Sequence, residues 1–198
     1  MAKLASIFFS MVLVNNYLLV KFMGICPFLG VSKKLDSSVG MSVAVTFVML
    51  MATAITWPIY TFLLVPFGLE YLNTIAFILV IAALVQLVEI ILKKYIPSLY
   101  TALGVYLPLI TTNCAILGVT LLNIESGYNF IESLVASAGA GIGFLLAMVL
   151  FTGVRSTLEY AKPPKSFEGL PITLVAASLV AVSFMGFGGI IESLFGTF

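Results

Sequence analysis

The sequence predicts an all-α integral membrane protein, and three observations carry that prediction. Hydrophobic residues make up 62% of the 198 positions and charged residues only 9%, against about 25% charged in a typical soluble domain. The mean hydropathy is +1.21, which implies more apolar surface than one soluble domain of this length can bury. The apolar residues also fall into stretches of about 20, the length that an α-helix needs to cross a bilayer.

Charged residues and turn residues divide the chain into six candidate transmembrane spans. They are 4–24, 40–65, 72–92, 99–122, 129–154 and 170–191. The separating segments are 32–36, 66–70, 93–97, 123–128 and 155–169. These connections are too short for an extramembrane catalytic domain, so we expect residues 1–198 to form a single domain within the lipid bilayer.

Lysine and arginine are distributed unevenly between the two sides of the predicted bundle. Seven of the nine lie in the first, third and fifth connections, and the opposite side holds only Lys3, with Lys21 inside the first span. Positive residues accumulate in cytoplasmic loops. The sequence therefore predicts that these three connections face the cytoplasm and that both termini lie outside.

Composition also excludes several classes of function. A net charge of +1 gives no electrostatic basis for binding nucleic acid. The absence of histidine excludes His-ligated haem, Rieske-type ligation and most catalytic zinc sites. The two cysteines, Cys26 and Cys114, are too few for a disulfide framework.

An internal repeat carries both cysteines. Residues 26–31 and 114–119 share the pattern C-x-x-L-G-V at an offset of 88 residues. Each predicted half holds three spans, so the second half enters the membrane from the opposite face, as in inverted-repeat proteins. We therefore expect two inverted three-helix repeats, at about 1–97 and 98–198.

The repeat also predicts that the first and fourth spans are broken or half-spanning helices. In continuous helices, which rise about 1.5 Å per residue, the cysteines would lie about 15 Å apart in depth. One compact site therefore needs interrupted helices. Residues that favour interruption are present in both copies, namely Gly24, Pro27 and Gly30 in the first and Pro108 and Gly118 in the second.

Two membrane cysteines at equivalent positions favour a soft metal over the ordinary interpretation of cysteine as a small buried hydrophobe. An iron–sulfur cluster usually takes four cysteine thiolates, and Cys26 and Cys114 supply two. The other two ligands would come from a second copy or a homologous chain. Such a cluster would carry electrons through the bilayer, and no catalytic residue is predicted in this chain.

Several polar side chains lie at membrane depth near the repeat, and two interpretations of them stay open. They either satisfy the backbone groups of the broken helices or line an ion path, because an unpartnered polar group is costly there. The residues are Asn15, Asn16, Thr111, Thr112 and Asn113. Asn15, Asn16 and Asn113 are candidates to support the cofactor site. Separately, Gly139-x-x-x-Gly143 predicts a small-residue packing face.

Three stretches resemble one known family, the Rnf-Nqr subunits. Residues 12–16, 20–35 and 107–119 are similar to A subunits of the Rnf complex, the ion-translocating ferredoxin:NAD oxidoreductase of prokaryotic membranes. The similarity extends over nearly the whole chain. The E subunit of the sodium-pumping NADH:quinone reductase is a close relative, but Asn15-Asn16 and residues 111–113 favour the Rnf version.

The resemblance implies a multi-pass subunit of the prokaryotic cytoplasmic membrane, paired with the homologous E subunit of the Rnf complex. That pair holds one [2Fe–2S] cluster, with Cys26 and Cys114 as the ligands from this chain. The complex also contains the B, C, D and G subunits and couples electron transfer to movement of Na+ or H+. The chain lacks a dinucleotide fingerprint and a flavin-attachment motif, so we expect it to bind neither NAD nor covalent FMN. The alternatives are a cofactor-free inverted-repeat transporter and a quinone-reductase subunit.

Overall fold

The computed structural model describes residues 2–32, 34–95, 107–158, 160–161 and 164–186. Within these residues every regular element is a helix. Three helices are long and apolar enough to cross a membrane, namely Leu35–Leu64, Asn73–Ile91 and Phe130–Leu158. Three shorter apolar helices accompany them, at Lys3–Val14, Leu109–Glu125 and Leu170–Met185. The predicted all-α membrane class is confirmed, and the six-span inverted arrangement stays a prediction.

Eight α-helices follow one another in the described chain. They are α1 (Ala2–Phe9), α2 (Ile25–Val31), α3 (Leu35–Ile59), α4 (Asn73–Tyr95), α5 (Leu107–Thr111), α6 (Cys114–Glu125), α7 (Phe130–Leu158) and α8 (Leu170–Met185). Single π-helical turns extend α1 over Ser10–Val14 and α3 over Tyr60–Leu64. Two 3-10 turns, Glu70–Leu72 and Lys165–Phe167, lie in the connections.

The first apolar segment is interrupted, as its sequence predicts, but of the residues expected to interrupt it only Gly24 lies at the break, whereas Pro27 and Gly30 belong to α2. The helix that begins with α1 ends at Val14, residues 15–24 form turns, and the chain becomes helical again in α2. Gly24 precedes α2 with φ 87°, a conformation that residues with a Cβ atom rarely adopt. A Cβ on Gly24 would lie 3.0 Å from Phe144 Cε2, so glycine is needed there for space as well.

The fourth segment is also interrupted, but not at the residues that the sequence analysis selected. The break lies at residues 112–113, between α5 and α6. Pro108 and Gly118 lie inside helices instead. Residues 99–106 of the predicted span lie outside the described residues.

The two longest helices, α3 and α7, run antiparallel and form the centre of the bundle. Ser38 Oγ lies 2.9 Å from Thr152 Oγ1, and Thr53 Oγ1 lies 2.6 Å from Ser137 Oγ. Between these polar pairs lie fully enclosed apolar side chains, together with the buried Ser42. The apolar side chains include Met41, Val45, Phe144 and Met148, each 0% exposed.

The glycine pattern on α7 packs as predicted. A Cβ on Gly139 would lie 3.0 Å from Phe8 O, and a Cβ on Gly143 would lie 3.1 Å from Val12 O. The first helix and its π turn therefore approach the backbone of α7 directly. Close backbone approach over small residues gives membrane helices their dispersion contacts, so the packing interpretation of Gly139-x-x-x-Gly143 is confirmed.

Some helix ends differ from the predicted spans. α3 begins at Leu35, five residues before the predicted start, and Asp36 in its first turn complements the helix dipole. α7 continues to Leu158, so Arg155 belongs to its last turn rather than to a loop. A cation is favourable at that end of a helix. The last predicted span, 170–191, is described as far as Gly186.

Candidate functional site

Both cysteines lie at the start of a helix that follows a break. Cys26 is the second residue of α2, and Cys114 is the first residue of α6. Both are exposed on the surface of this chain. This exposure argues against the interpretation of the two cysteines as small buried hydrophobic residues, and it leaves both thiols accessible to groups from outside the chain.

The two breaks touch each other. A Cβ on Gly24 would lie 3.1 Å from Asn113 Oδ1 and 3.2 Å from Ala115 Cβ. Gly24 stands two residues before Cys26, whereas Asn113 and Ala115 flank Cys114. Two segments that are 88 residues apart in sequence are thus neighbours in space, with a cysteine beside the contact on each.

Further contacts join the same two segments. The Sδ atom of Met23 occupies the space over Gly118, where a Cβ would collide with it. A Cβ on Gly30 would lie 3.9 Å from Leu109 Cδ1. The glycines of the C-x-x-L-G-V pattern, Gly30 and Gly118, therefore each face a residue of the other broken segment.

Asn16 organises the first break and uses all its hydrogen-bonding capacity within the chain. The side chain is fully buried. Its Nδ2 donates to Val12 O at 3.2 Å and to Gly143 O at 2.8 Å. Its Oδ1 accepts the backbone N–H groups of Leu18 and Leu19 at 3.0 and 3.3 Å. For Asn16, the structure favours satisfaction of the broken backbone over an ion path.

Asn15 has a smaller role in the same break. Its Nδ2 donates to Ser10 Oγ at 3.2 Å, within the π turn that precedes it. In the other segment, Thr111 closes α5 and Thr112 lies exposed in the break. These side chains border the breaks without replacing the two cysteines as candidate ligands.

Asn113 organises the second break by capping α6. Its backbone is extended, with φ −72° and ψ 113°, and its Oδ1 accepts the N–H of Ala115 at 3.0 Å. An N-cap of this kind satisfies one of the free N–H groups at a helix start. Asn113 is only 5% exposed, and its Nδ2 has no hydrogen-bond partner among the described residues.

Arg155 fixes the helix that carries Cys26, and sequence reasoning missed this role. Its Nη1 donates to Leu29 O at 2.7 Å and to Ser32 Oγ at 2.8 Å. Leu29 O belongs to the last turn of α2, where carbonyl groups lack intrahelical partners. The end of α7 thereby holds α2 in place. The sequence signal available was one arginine directly after a long apolar run.

The part of the chain that the structure describes contains no group of three or more His, Cys, Asp or Glu side chains able to hold a metal. The donor set of this chain at the two breaks is a pair of soft sulfur ligands beside a buried amide with unused N–H groups. Two sulfur donors suit a thiophilic metal centre, and a buried N–H donor suits a negatively charged one.

Known proteins similar to this chain agree with the resemblance found in its sequence. Residues 4–191 match the family described as "Rnf-Nqr subunit, membrane protein". The chain is 60% identical over 183 residues to the A subunit of the Na(+)-translocating ferredoxin:NAD(+) oxidoreductase complex of Acetobacterium woodii, covering 92% of this chain and 95% of that protein. It is 53% identical over 191 residues to the A subunit of the ion-translocating oxidoreductase complex of Syntrophotalea carbinolica, covering 96% and 99%. The corresponding protein of Serratia proteamaculans is 54% identical over 186 residues, covering 94% and 96%. The chain therefore belongs to the Rnf-Nqr family of membrane subunits.

Proposed function

We propose that this chain is the A-type membrane subunit of an ion-translocating ferredoxin:NAD oxidoreductase complex. In this proposal it carries electrons through the bilayer by means of a [2Fe–2S] cluster that it shares with a homologous E-type subunit. The complex couples this transfer to movement of Na+ or H+. The observation that carries the proposal is the contact between the two breaks, which brings the helix starts of Cys26 and Cys114 together.

The chemistry of the donor set supports this assignment. Cys26 and Cys114 would hold the group from this side, and the homologous subunit would provide the other two thiolates, because a [2Fe–2S] cluster usually takes four. When bound, the cluster accepts and donates single electrons. Thiolate charge is costly at membrane depth. The N-terminus of the 12-residue α6 offsets part of this cost, since helix starts carry partial positive charge.

Internal symmetry supports the inverted repeat that the proposal needs. The buried pairs Ser38–Thr152 and Thr53–Ser137 join α3 to α7. A shift of 99 residues converts Ser38 into Ser137 and Thr53 into Thr152, so it exchanges the two pairs. A two-fold axis that relates α3 to the antiparallel α7 would exchange the two pairs in the same way. The shift exceeds the 88 residues between the cysteines because α6 is longer than α2, the connection after it is one residue longer, and Ser137 lies four residues further into α7 than Ser38 lies into α3.

Contacts at the two ends of α7 support the proposed placement of the N-terminus and the first connection on opposite sides of the membrane. Lys3 Nζ lies 2.7 Å from Glu132 Oε1, which joins the N-terminus to the start of α7. Arg155 joins the other end of α7 to Ser32 in the first connection. This agrees with an N-terminus outside the membrane and with first and fifth connections on the cytoplasmic side.

Iron and acid-labile sulfide analysis tests the proposal on this chain purified in complex with its homologous partner. We expect two iron and two sulfide per heterodimer. A complex without iron would overturn the redox assignment and favour the cofactor-free transporter. Electron transfer from NADH to a quinone, without activity toward ferredoxin, would instead favour the quinone-reductase type of the same family.

A further inference from the structure

Two buried side-chain atoms lack a hydrogen-bond partner among the described residues, Asn113 Nδ2 and Asn123 Oδ1. Only Asn113 Nδ2 is a donor, and only Asn113 lies in one of the two breaks. Buried donors almost always have an acceptor in native proteins. The acceptor for Asn113 is therefore expected from a group outside the described residues.

The helix that Asn113 caps fixes the orientation of its amide. Oδ1 accepts the N–H of Ala115 at 3.0 Å. A flipped amide would place its NH2 group against that N–H and lose the cap, because two donors would then face each other. Nδ2 is therefore the free end of the side chain.

The surroundings of this free donor suit an anionic acceptor. Asn113 directly precedes Cys114, and a Cβ on Gly24, two residues before Cys26, would lie 3.1 Å from its Oδ1. The start of α6 adds partial positive charge at the same place. Thiolate and sulfide sulfur are electron-rich, negatively charged acceptors, and the proposed function brings both to this position.

We propose that Asn113 is a positioning residue for the cluster site, with Nδ2 donating a hydrogen bond to a sulfur atom held there. The acceptor is either a cysteine thiolate of the partner subunit or a bridging sulfide, because neither Cys26 nor Cys114 accepts a hydrogen bond from Nδ2. This role rests on the proposed function. It adds that Asn113 helps to set the reduction potential of the cluster. Because a hydrogen bond to sulfur stabilises the more negative reduced state, the Asn113 donor raises the reduction potential.

Two substitutions of Asn113 distinguish the effect of losing the hydrogen bond from the effect of adding charge. Asn113→Gly removes the amide without adding charge, and glycine is accepted at N-cap positions. Asn113→Asp keeps a capping oxygen, removes both N–H donors and adds negative charge. Asn73→Asp is the matched control, because Asn73 Oδ1 accepts the Thr74 N–H at the start of α4, outside both breaks.

The measurement is a redox titration of the purified complex followed by EPR. At a fixed applied potential, we expect Asn113→Gly to raise the ratio of oxidised to reduced cluster about tenfold. For a one-electron couple this corresponds to a reduction potential lower by about 59 mV. Asn113→Asp should shift the potential further in the same direction. Asn73→Asp should leave it unchanged.

Several results would overturn this role. An unchanged potential in Asn113→Gly with intact iron content removes Asn113 from the site and leaves the proposed function standing. A shift in Asn113→Asp alone also overturns the role, because added charge would then be the cause. A complex of unsubstituted chains without iron overturns the proposed function instead.

A second measurement decides the matter if Asn113→Gly fails to assemble. Asparagine labelled with ¹⁵N only at the side-chain amide is incorporated into the unsubstituted complex, and the reduced cluster is examined by pulsed EPR. We expect a ¹⁵N coupling to the cluster. A reduced cluster without that coupling contradicts the proposed hydrogen bond.

Discussion

The two helix breaks carry the same sequence pattern but are built differently. The first spans ten residues, 15–24, and the second only two, 112–113. In the first, the Asn16 amide satisfies four backbone groups of the chain itself. In the second, Asn113 caps α6 and keeps its NH2 group unused within the described chain. The repeated pattern therefore does not extend to the amides of the breaks: at the offset of 88 residues Asn113 corresponds to Ile25, and only Asn113 has an unused NH2 group among the described residues.

The largest effect is expected from Asn16→Ala in the first break. The substitution leaves two backbone N–H groups and two carbonyl groups with fewer partners in a fully buried place, so we expect a loss of about 3–5 kcal/mol in stability. Thermal unfolding of the purified complex in detergent measures it. Asn15→Ala is the matched control and should cost about 1 kcal/mol, because Asn15 gives up a single bond to Ser10. Equal losses of stability in Asn16→Ala and Asn15→Ala would contradict the role of Asn16 in satisfying the backbone of the first break.

An intermediate effect is expected from Gly24→Ala, at the contact between the breaks. The added Cβ meets a positive φ and three atoms at 3.0–3.2 Å, so we expect a loss of about 2–4 kcal/mol. Gly127→Ala is the control, since Gly127 has φ 65° and nothing within 4 Å of its Cβ position. Gly127→Ala should lower the stability by about 1–2 kcal/mol, because only the backbone strain at a positive φ applies there. If the two variants unfold at the same temperature, the breaks do not pack as described.

A smaller effect on stability is expected from Arg155→Ala, which releases the end of α2. Arg155 is half-buried, and loss of its two hydrogen bonds should cost about 1–3 kcal/mol. The iron content should fall as well, because α2 carries Cys26. The exposed Lys165 offers a control, and Lys165→Ala should change neither stability nor iron content. Full iron content in Arg155→Ala would show that α2 is held without this residue.

The sequence predicted the features of this fold that depend on local pattern. Long apolar runs identified the helices, the repeated cysteine pattern located both interrupted segments, and Gly139 with Gly143 identified the packing face. The cause of the second break was predicted wrongly: Pro108 and Gly118 are common helix breakers, but the chain tolerates both inside helices. Asn113 caps the start of α6; an asparagine directly before an apolar run is a sequence signal for such a cap, but the pattern does not show that its NH2 group stays unused in the folded chain.

Arg155 shows why tertiary contacts escape prediction from pattern. Its partners, Leu29 O and Ser32 Oγ, are more than 120 residues away in sequence, and no periodicity connects them. The positive-inside count placed Arg155 in a loop, whereas it belongs to the last turn of α7. The contact of Gly24 with Asn113 is likewise a property of the folded chain, although the repeat indicated that the two segments are related.

EPR of the reduced complex tests the central claim most directly when the two cysteines are replaced one at a time. Cys26→Ser and Cys114→Ser are compared with Val182→Ser, which introduces the same hydroxyl group at an exposed position of α8. We predict one iron–sulfur signal in the unsubstituted complex and in Val182→Ser, and its loss in each cysteine variant. An undiminished signal in either cysteine variant would contradict a shared site at the two helix breaks.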